Sequence, residues 1–237
     1  MVDQKLPISV HLEEIRKRLI VYFFFLGVFS SVSFMFMESL LDILKRPAGD
    51  LVKQFAVFSP TAGIISMIKI AVASGVIFSL PVLFYQIWRF VLPAMNPQLK
   101  KKGGWLISLS SFLFLCGASL SYFLLIPASL RFLLNVGKHD LLFLISLDAY
   151  SSFVLALIFG GGIIFEMPLG GYLLARGGIL TSKQMISGWR FAAIIILIAA
   201  ALITPTPDVV NMLLMAVPMV FLYGLSIYSA KLAEGRK

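Results

Sequence analysis

Hydrophobic and polar positions in this chain fall in long blocks. Apolar runs of about fifteen to thirty residues are separated by short polar stretches. At ~1.5 Å per helical residue such runs match the ~30 Å hydrocarbon core of a bilayer. A membrane barrel would instead show alternating segments of about ten residues. Six spans are predicted, at residues 19–37, 61–92, 105–126, 148–174, 189–203 and 209–228. The first opens on Tyr22-Phe23-Phe24-Phe25 and ends before Glu38. Ser59-Pro60 reads as an N-cap followed by proline at the first helical position, so it starts the second span. That span reaches well over ~40 Å and has to tilt, bend at Pro81 or project beyond the bilayer. The fifth span reaches only ~22 Å. The turn Thr204-Pro205-Thr206-Pro207-Asp208 joins it to the sixth, with Asp208 placed as the cap, and so short a hairpin thins the bilayer locally. Between the long runs, Glu38 to Ser59 alternates apolar and charged residues at helical spacing until Pro47 stops the pattern, which predicts a short surface helix. Pro127 is expected to end the third span, leaving Ala128 to Leu147 as a second surface segment. The expected architecture is all-α: a single integral membrane domain over residues 1–237, six transmembrane helices with short interfacial helices on the outer face.

Composition agrees. Hydrophobic residues make up 59% of the 237 and charged residues 13%, too little polar surface for a soluble globule. The first eighteen residues are polar and lack the features of a removable signal peptide, so the first helix is expected to act as its own insertion signal. Cys116 is the only cysteine and makes no intramolecular disulfide. Of the twenty basic residues, fourteen fall at the N-terminus, in the second and fourth connections and in the tail. The other face holds Lys45, Arg46, Lys53, Lys69, Arg131 and Lys138, balanced by six acids from Glu38 to Asp208. The positive-inside bias therefore predicts cytoplasmic termini. Topology and attraction to anionic membrane lipids account for the net charge of +9, with no need for a nucleic acid partner.

Candidate chemistry is sparse. The sequence holds no Ser/His/Asp grouping, phosphate-cradling loop or metal-ligand cluster, so neither a metal, a cofactor nor an enzyme activity is expected. Gly160-Gly161-Gly162 reads as a helix-packing segment. Lys69, near the end of the second span, is expected to snorkel to the interface. Glu166 stands out as a carboxylate deep in the fourth span. Gly162 and Gly170 lie four residues to either side, and Pro168 withholds a donor from the carbonyl of Ile164. Glu166 is then either a protonated group hydrogen-bonded inside the bundle, part of a wet docking groove, or the coupling group of an ion-coupled secondary transporter. No internal repeat and no second intramembrane acid support the last.

The remaining feature is the run His11-Leu12-Glu13-Glu14-Ile15-Arg16-Lys17-Arg18-Leu19, placed directly against the first span. Ionised groups cost at least ~2.5 kcal/mol each in hydrocarbon, so the run sits at an interface. Read alone it is an amphipathic helix with i, i+4 pairs, Glu13 with Lys17 and Glu14 with Arg18. Together with Leu80-Pro81-Val82-Leu83-Phe84-Tyr85-Gln86-Ile87-Trp88-Arg89-Phe90, Pro93-Ala94, Phe165-Glu166-Met167-Pro168 and Pro207-Asp208-Val209, however, the run resembles the TatC family of the twin-arginine protein translocase over nearly the whole chain. Pro47 in the first outer loop also fits. The resemblance implies a multi-pass protein of the bacterial cytoplasmic membrane that binds twin-arginine signal peptides of folded passengers. It also implies assembly with TatA/TatB-type single-span subunits and further copies of itself. Glu14 matches the family's signal-binding glutamate, Arg16 a basic position of the same motif, and Phe90 an aromatic of the same surface. Leu99 stands where the family commonly has a second signal-contacting acid. Glu13 or Gln98 is expected to substitute for it in part, and Glu166 to help dock partner helices.

Overall fold

The computed structural model describes residues 8–52, 54–91, 103–135 and 144–235. Its α-helices are α1 (Ile8–Met35), α2 (Met37–Lys45), α3 (Pro60–Val91), α4 (Gly103–Leu120), α5 (Ile126–Asn135), α6 (Leu147–Ile164), α7 (Met167–Arg176), α8 (Ser182–Ser187), α9 (Trp189–Ile203) and α10 (Val209–Glu234). Two short strands, β1 (Phe55–Ala56) and β2 (Ile145–Ser146), pair in parallel with Phe55 opposite Ile145. Among the described residues, five stretches are long and apolar enough to cross a membrane: Leu12–Met35, Pro60–Val91, Gly103–Asn135, Leu147–Arg176 and Val209–Glu234. With the shorter apolar α9, they make the chain an all-α, multi-pass membrane protein.

Three boundaries differ from the sequence expectation. The helix of the first span begins at Ile8, because the charged run is itself helical and continuous with the apolar stretch. The third span does not stop at Pro127. A π-helical turn, Ser121–Leu125, links α4 to α5, and the Ile126 N–H reaches back five residues to the Ser121 carbonyl. The widened turn accommodates the proline ring and its missing donor, so the helix runs on to Asn135 through what had read as surface segment. The fourth span is broken, with α6 ending at Ile164 and α7 starting at Met167.

The chain forms two compact units, Met1–Met37 with Ala71–Ser111, and Glu38–Ile70 with Phe112–Lys237. In the first, a Cβ at Gly75 of α3 would meet the Ser30 backbone nitrogen of α1 at 2.8 Å, so the two helices touch backbone to backbone. Leu80 and Leu106 are buried there, and the Trp88 indole N–H donates to Ser110 Oγ at 3.0 Å.

In the second unit Leu125, Ile164, Ile196, Ala200, Met215, Ala216, Met219 and Leu222 form the apolar centre. Around it, polar side chains reach backbone groups at helix ends and beside prolines. The hydroxyls of Tyr122 and Tyr150 donate to the carbonyls of Ile43 and Leu44 at the end of α2. Ser226 and Ser229 of α10 donate to the carbonyls of Met167 and Pro168, at 2.8 and 2.7 Å. Glu234 accepts from the Ser182 N–H and hydroxyl at 2.6 Å each, in front of α8, whose capping box is Thr181 and Gln184. Asp208 caps α10 by accepting from the Asn211 N–H at 2.7 Å. Burial pushes its carboxyl upward, but donors from Asn211, Thr206 and Val210 outweigh that and hold it below the usual value.

The tightest approach is between α4 and α6. A Cβ on Gly161 would meet Ser121 Oγ at 1.9 Å and the Gly117 carbonyl oxygen at 2.9 Å, whereas one on Gly170 would meet nothing within 4 Å. Gly161→Ala is therefore expected to lower the thermal stability of the detergent-solubilised protein, by about 1–3 kcal/mol. Gly170→Ala should leave it unchanged or raise it by up to ~1 kcal/mol through helix propensity. The reverse order in thermal melts would contradict this packing.

Candidate functional site

Because α1 carries the charged run as continuous helix, residues four apart share a face. Glu13 and Lys17 pair at 2.9 Å with both side chains well exposed. Glu14 pairs with Arg18 in a different setting: the Arg18 side chain is only 14% exposed and that of Glu14 41%. Arg18 turns toward α3, where its Nη1 donates to the Gln86 carbonyl at 3.4 Å and its Nη2 to the Arg89 carbonyl at 3.2 Å. A guanidinium has planar donors enough to serve a carboxylate and two carbonyls together. Its charge also suits the negative end of the α3 dipole. The carboxylate of Glu14 is thereby held at a fixed place beside the end of α3. Ile15, Leu19 and Tyr22 of α1, with Leu83, Ile87 and Phe90 of α3, line a cavity of about 280 Å³ around Arg18.

Of the residues singled out from sequence, Glu14 thus pairs with Arg18 and Phe90 lines the same cavity as Arg18. Glu13 and Arg16 are exposed on α1. Gln98, with Pro93, Ala94 and Leu99, lies outside the described residues. The part that sequence reasoning missed is Arg18. It read only as an i+4 partner, while its carbonyl acceptors lie 68 and 71 residues away.

Glu166 occupies the joint between α6 and α7, half-buried. Pro168 sits in the first turn of α7, where its missing donor does least harm. Hydrogen bonding continues across the joint, from the Glu166 N–H to the Ile163 carbonyl at 3.1 Å and from the Gly170 N–H to the Glu166 carbonyl at 2.8 Å. The flanking glycines are not equivalent. A Cβ on Gly162 would meet the Phe114 ring at 2.6 Å, so that side is closed, while Gly170 is open. Pro81 is exposed within an unbroken α3, and Pro47 lies in the 3₁₀ turn Arg46–Leu51 after α2.

Lys69 has a partner that sequence reasoning did not find. Its ammonium pairs with Asp148 of α6 at 2.7 Å and donates to Ser152 Oγ at 3.0 Å. The Ser66 hydroxyl approaches the same carboxylate at 3.4 Å. Among the described residues no group of His, Cys, Asp and Glu could hold a metal ion.

A family model described as Sec-independent protein translocase protein (TatC) matches residues 10–218. The chain belongs to the TatC family. A TatC from Aquifex aeolicus is 37% identical over 239 residues, covering 98% of each chain, and one from Helicobacter pylori is 36% identical over 225 residues, covering 94% of this chain and 87% of the relative. A chloroplastic TATC from Pisum sativum is 32% identical over 233 residues, covering 98% of this chain and 65% of that protein. The fold also matches a crystal structure of the twin-arginine translocase receptor TatC. That match has a TM-score of 0.84 at 37% identity, over 94% of this chain and 99% of the other.

The Lys69–Asp148 pair gives this TatC-family fold a testable clamp between α3 and α6. Both side chains are more than a third exposed, so the contribution is modest. A double-mutant cycle with Lys69→Met and Asp148→Asn, read by thermal unfolding in detergent, is expected to give a small favourable coupling. Strict additivity would show that the pair carries no stability.

Proposed function

We propose that this chain is the receptor and assembly platform of a twin-arginine export pathway in a bacterial cytoplasmic membrane, with both termini cytoplasmic. The observation that carries the reading is the Glu14 carboxylate, held by a mostly buried Arg18 that is itself fastened to carbonyls near the end of α3. A carboxylate so held accepts an incoming guanidinium as a bidentate pair, while a lysine ammonium offers only a point charge. The apolar cavity with Phe90 beside it suits the hydrophobic part of a signal peptide. Arg16 contributes positive charge to the same cytoplasmic face. With Leu99 in place of the family's second acid, Glu13 or the amide of Gln98 substitutes for it in part. The charge asymmetry of the loops supports the orientation, and the similar solved structure is of a protein named as a twin-arginine translocase receptor.

The chain works as a platform and not as a pore. Its spans carry few polar positions, so a conduit for folded passengers is recruited from TatA/TatB-type single-span partners and further copies of this chain. The broken fourth span, with Glu166 at the joint and Gly170 open beside it, is the docking place for a partner helix.

One binding measurement tests the reading. The full chain in nanodiscs should bind a signal peptide with consecutive arginines about tenfold more tightly than the same peptide with two lysines. Glu14→Gln should abolish most of that difference, and Glu166→Ala should preserve it while weakening co-purification of single-span partners and export. Equal affinity for the two peptides would overturn the assignment of Glu14.

A further inference from the structure

At the end of the second unit that carries α2 and α5 lies a feature that signal recognition does not use. The 3₁₀ turn Arg46–Leu51 packs against α5. Between them, open to the outside, is a cavity of about 760 Å³ lined by Arg46, Arg131, Tyr122, Ile43, Phe123 and Pro127 among others. Four basic side chains are described on this end, and two are already occupied. Lys69 is paired with Asp148, and the ammonium of Lys45 lies 6.0 Å from the centre of the Phe55 ring. The other two are the arginines of the cavity, and among the described residues neither is in an ion pair. The Tyr122 hydroxyl is committed to the Ile43 carbonyl, and the cationic residues of the cavity lining are Arg46 and Arg131.

We infer that this cavity binds the phosphate of an anionic phospholipid, held between Arg46 and Arg131 with its glycerol and first acyl carbons against Ile43, Phe123 and Pro127. Guanidiniums favour phosphate because their planar donors meet two of its oxygens together. A free phosphate ion would satisfy the arginines but not the apolar part of the lining. Phe123 is 75% exposed, Ile43 46% and the neighbouring Leu124 61%. Phe123, in the cavity lining, and the exposed Leu124 next to it both belong to the π-helical turn of a membrane-spanning helix, where an acyl chain would lie. A zwitterionic headgroup fits less well, since its ammonium would sit beside two fixed positive charges. Arginine side chains on the face that the positive-inside bias depletes of them are also accounted for by such a ligand.

The test uses the full chain, purified in mild detergent, stripped of lipid and exposed to an equimolar mixture of phosphatidylglycerol and phosphatidylcholine. Bound lipid is counted by native mass spectrometry. The wild type is expected to retain phosphatidylglycerol about tenfold over phosphatidylcholine. The double variant R46Q/R131Q should lose that preference, while R190Q, at an exposed arginine on α9, should keep it. Circular dichroism checks folding. If the double variant fails that check, the single variants R46Q and R131Q are each expected to reduce the preference by about threefold. Retention of the full preference by folded double or single variants would overturn the proposal. So would displacement of phosphatidylglycerol by inorganic phosphate at equal concentration, which would make the cavity a site for the free ion.

Discussion

In hydrocarbon a backbone carbonyl stripped of its helical donor has no water to turn to, and much of this structure follows from that constraint. Prolines and helix ends create such carbonyls, and here they are met in two ways. One is local: the π-helical turn before Pro127 re-registers the hydrogen bonds so that the helix continues to Asn135. The other is tertiary: the hydroxyls of Tyr122 and Tyr150 reach carbonyls at the end of α2, while those of Ser226 and Ser229 add a donor to carbonyls in the first turn of α7. These contacts require helices to approach closely, which glycines at 117, 161 and 171 permit by leaving room where a Cβ would collide. Packing and backbone satisfaction are therefore coupled.

The proposed signal site grows from the same constraint. Arg18 serves carbonyls near the end of α3 in the way the tyrosines serve α2, but it brings a charge and spare donors. Those donors fix Glu14. A side chain that closes off one helix end thereby sets the position of a carboxylate on another, and the proposed recognition would inherit the rigidity of the packed helices. Lys17, one residue earlier, shows the contrast: it pairs with Glu13 at 2.9 Å while 69% exposed, and among the described residues it is in no other ion pair.

What the sequence made legible is what depends on local pattern. Long apolar blocks gave the spans and the membrane class, Pro60 and Asp208 marked helix starts, and Glu166 stood out because a carboxylate in an apolar run is rare. Pro127 misled because a proline can end a helix or be absorbed by a widened turn, and only the packing around it decides. The partner of Lys69 was not legible because Asp148 lies 79 residues away, and no periodicity links them. Glu14 could be distinguished from Glu13 only through the family pattern, since i, i+4 spacing gives both the same partner type. The burial of Arg18 and the exposure of Lys17 are what physically separate the two acids.

The central claim is that Arg18 positions Glu14 for an incoming arginine and does not compete with it. The direct test is the affinity of a twin-arginine signal peptide for Arg18→Gln, measured in nanodiscs beside the wild type. If Arg18 is the positioning group, affinity falls about tenfold with Glu14 still present, because the carboxylate loses its fixed place. Unchanged or tighter binding would contradict the account, since it would show that Arg18 occupies the carboxylate that the signal needs.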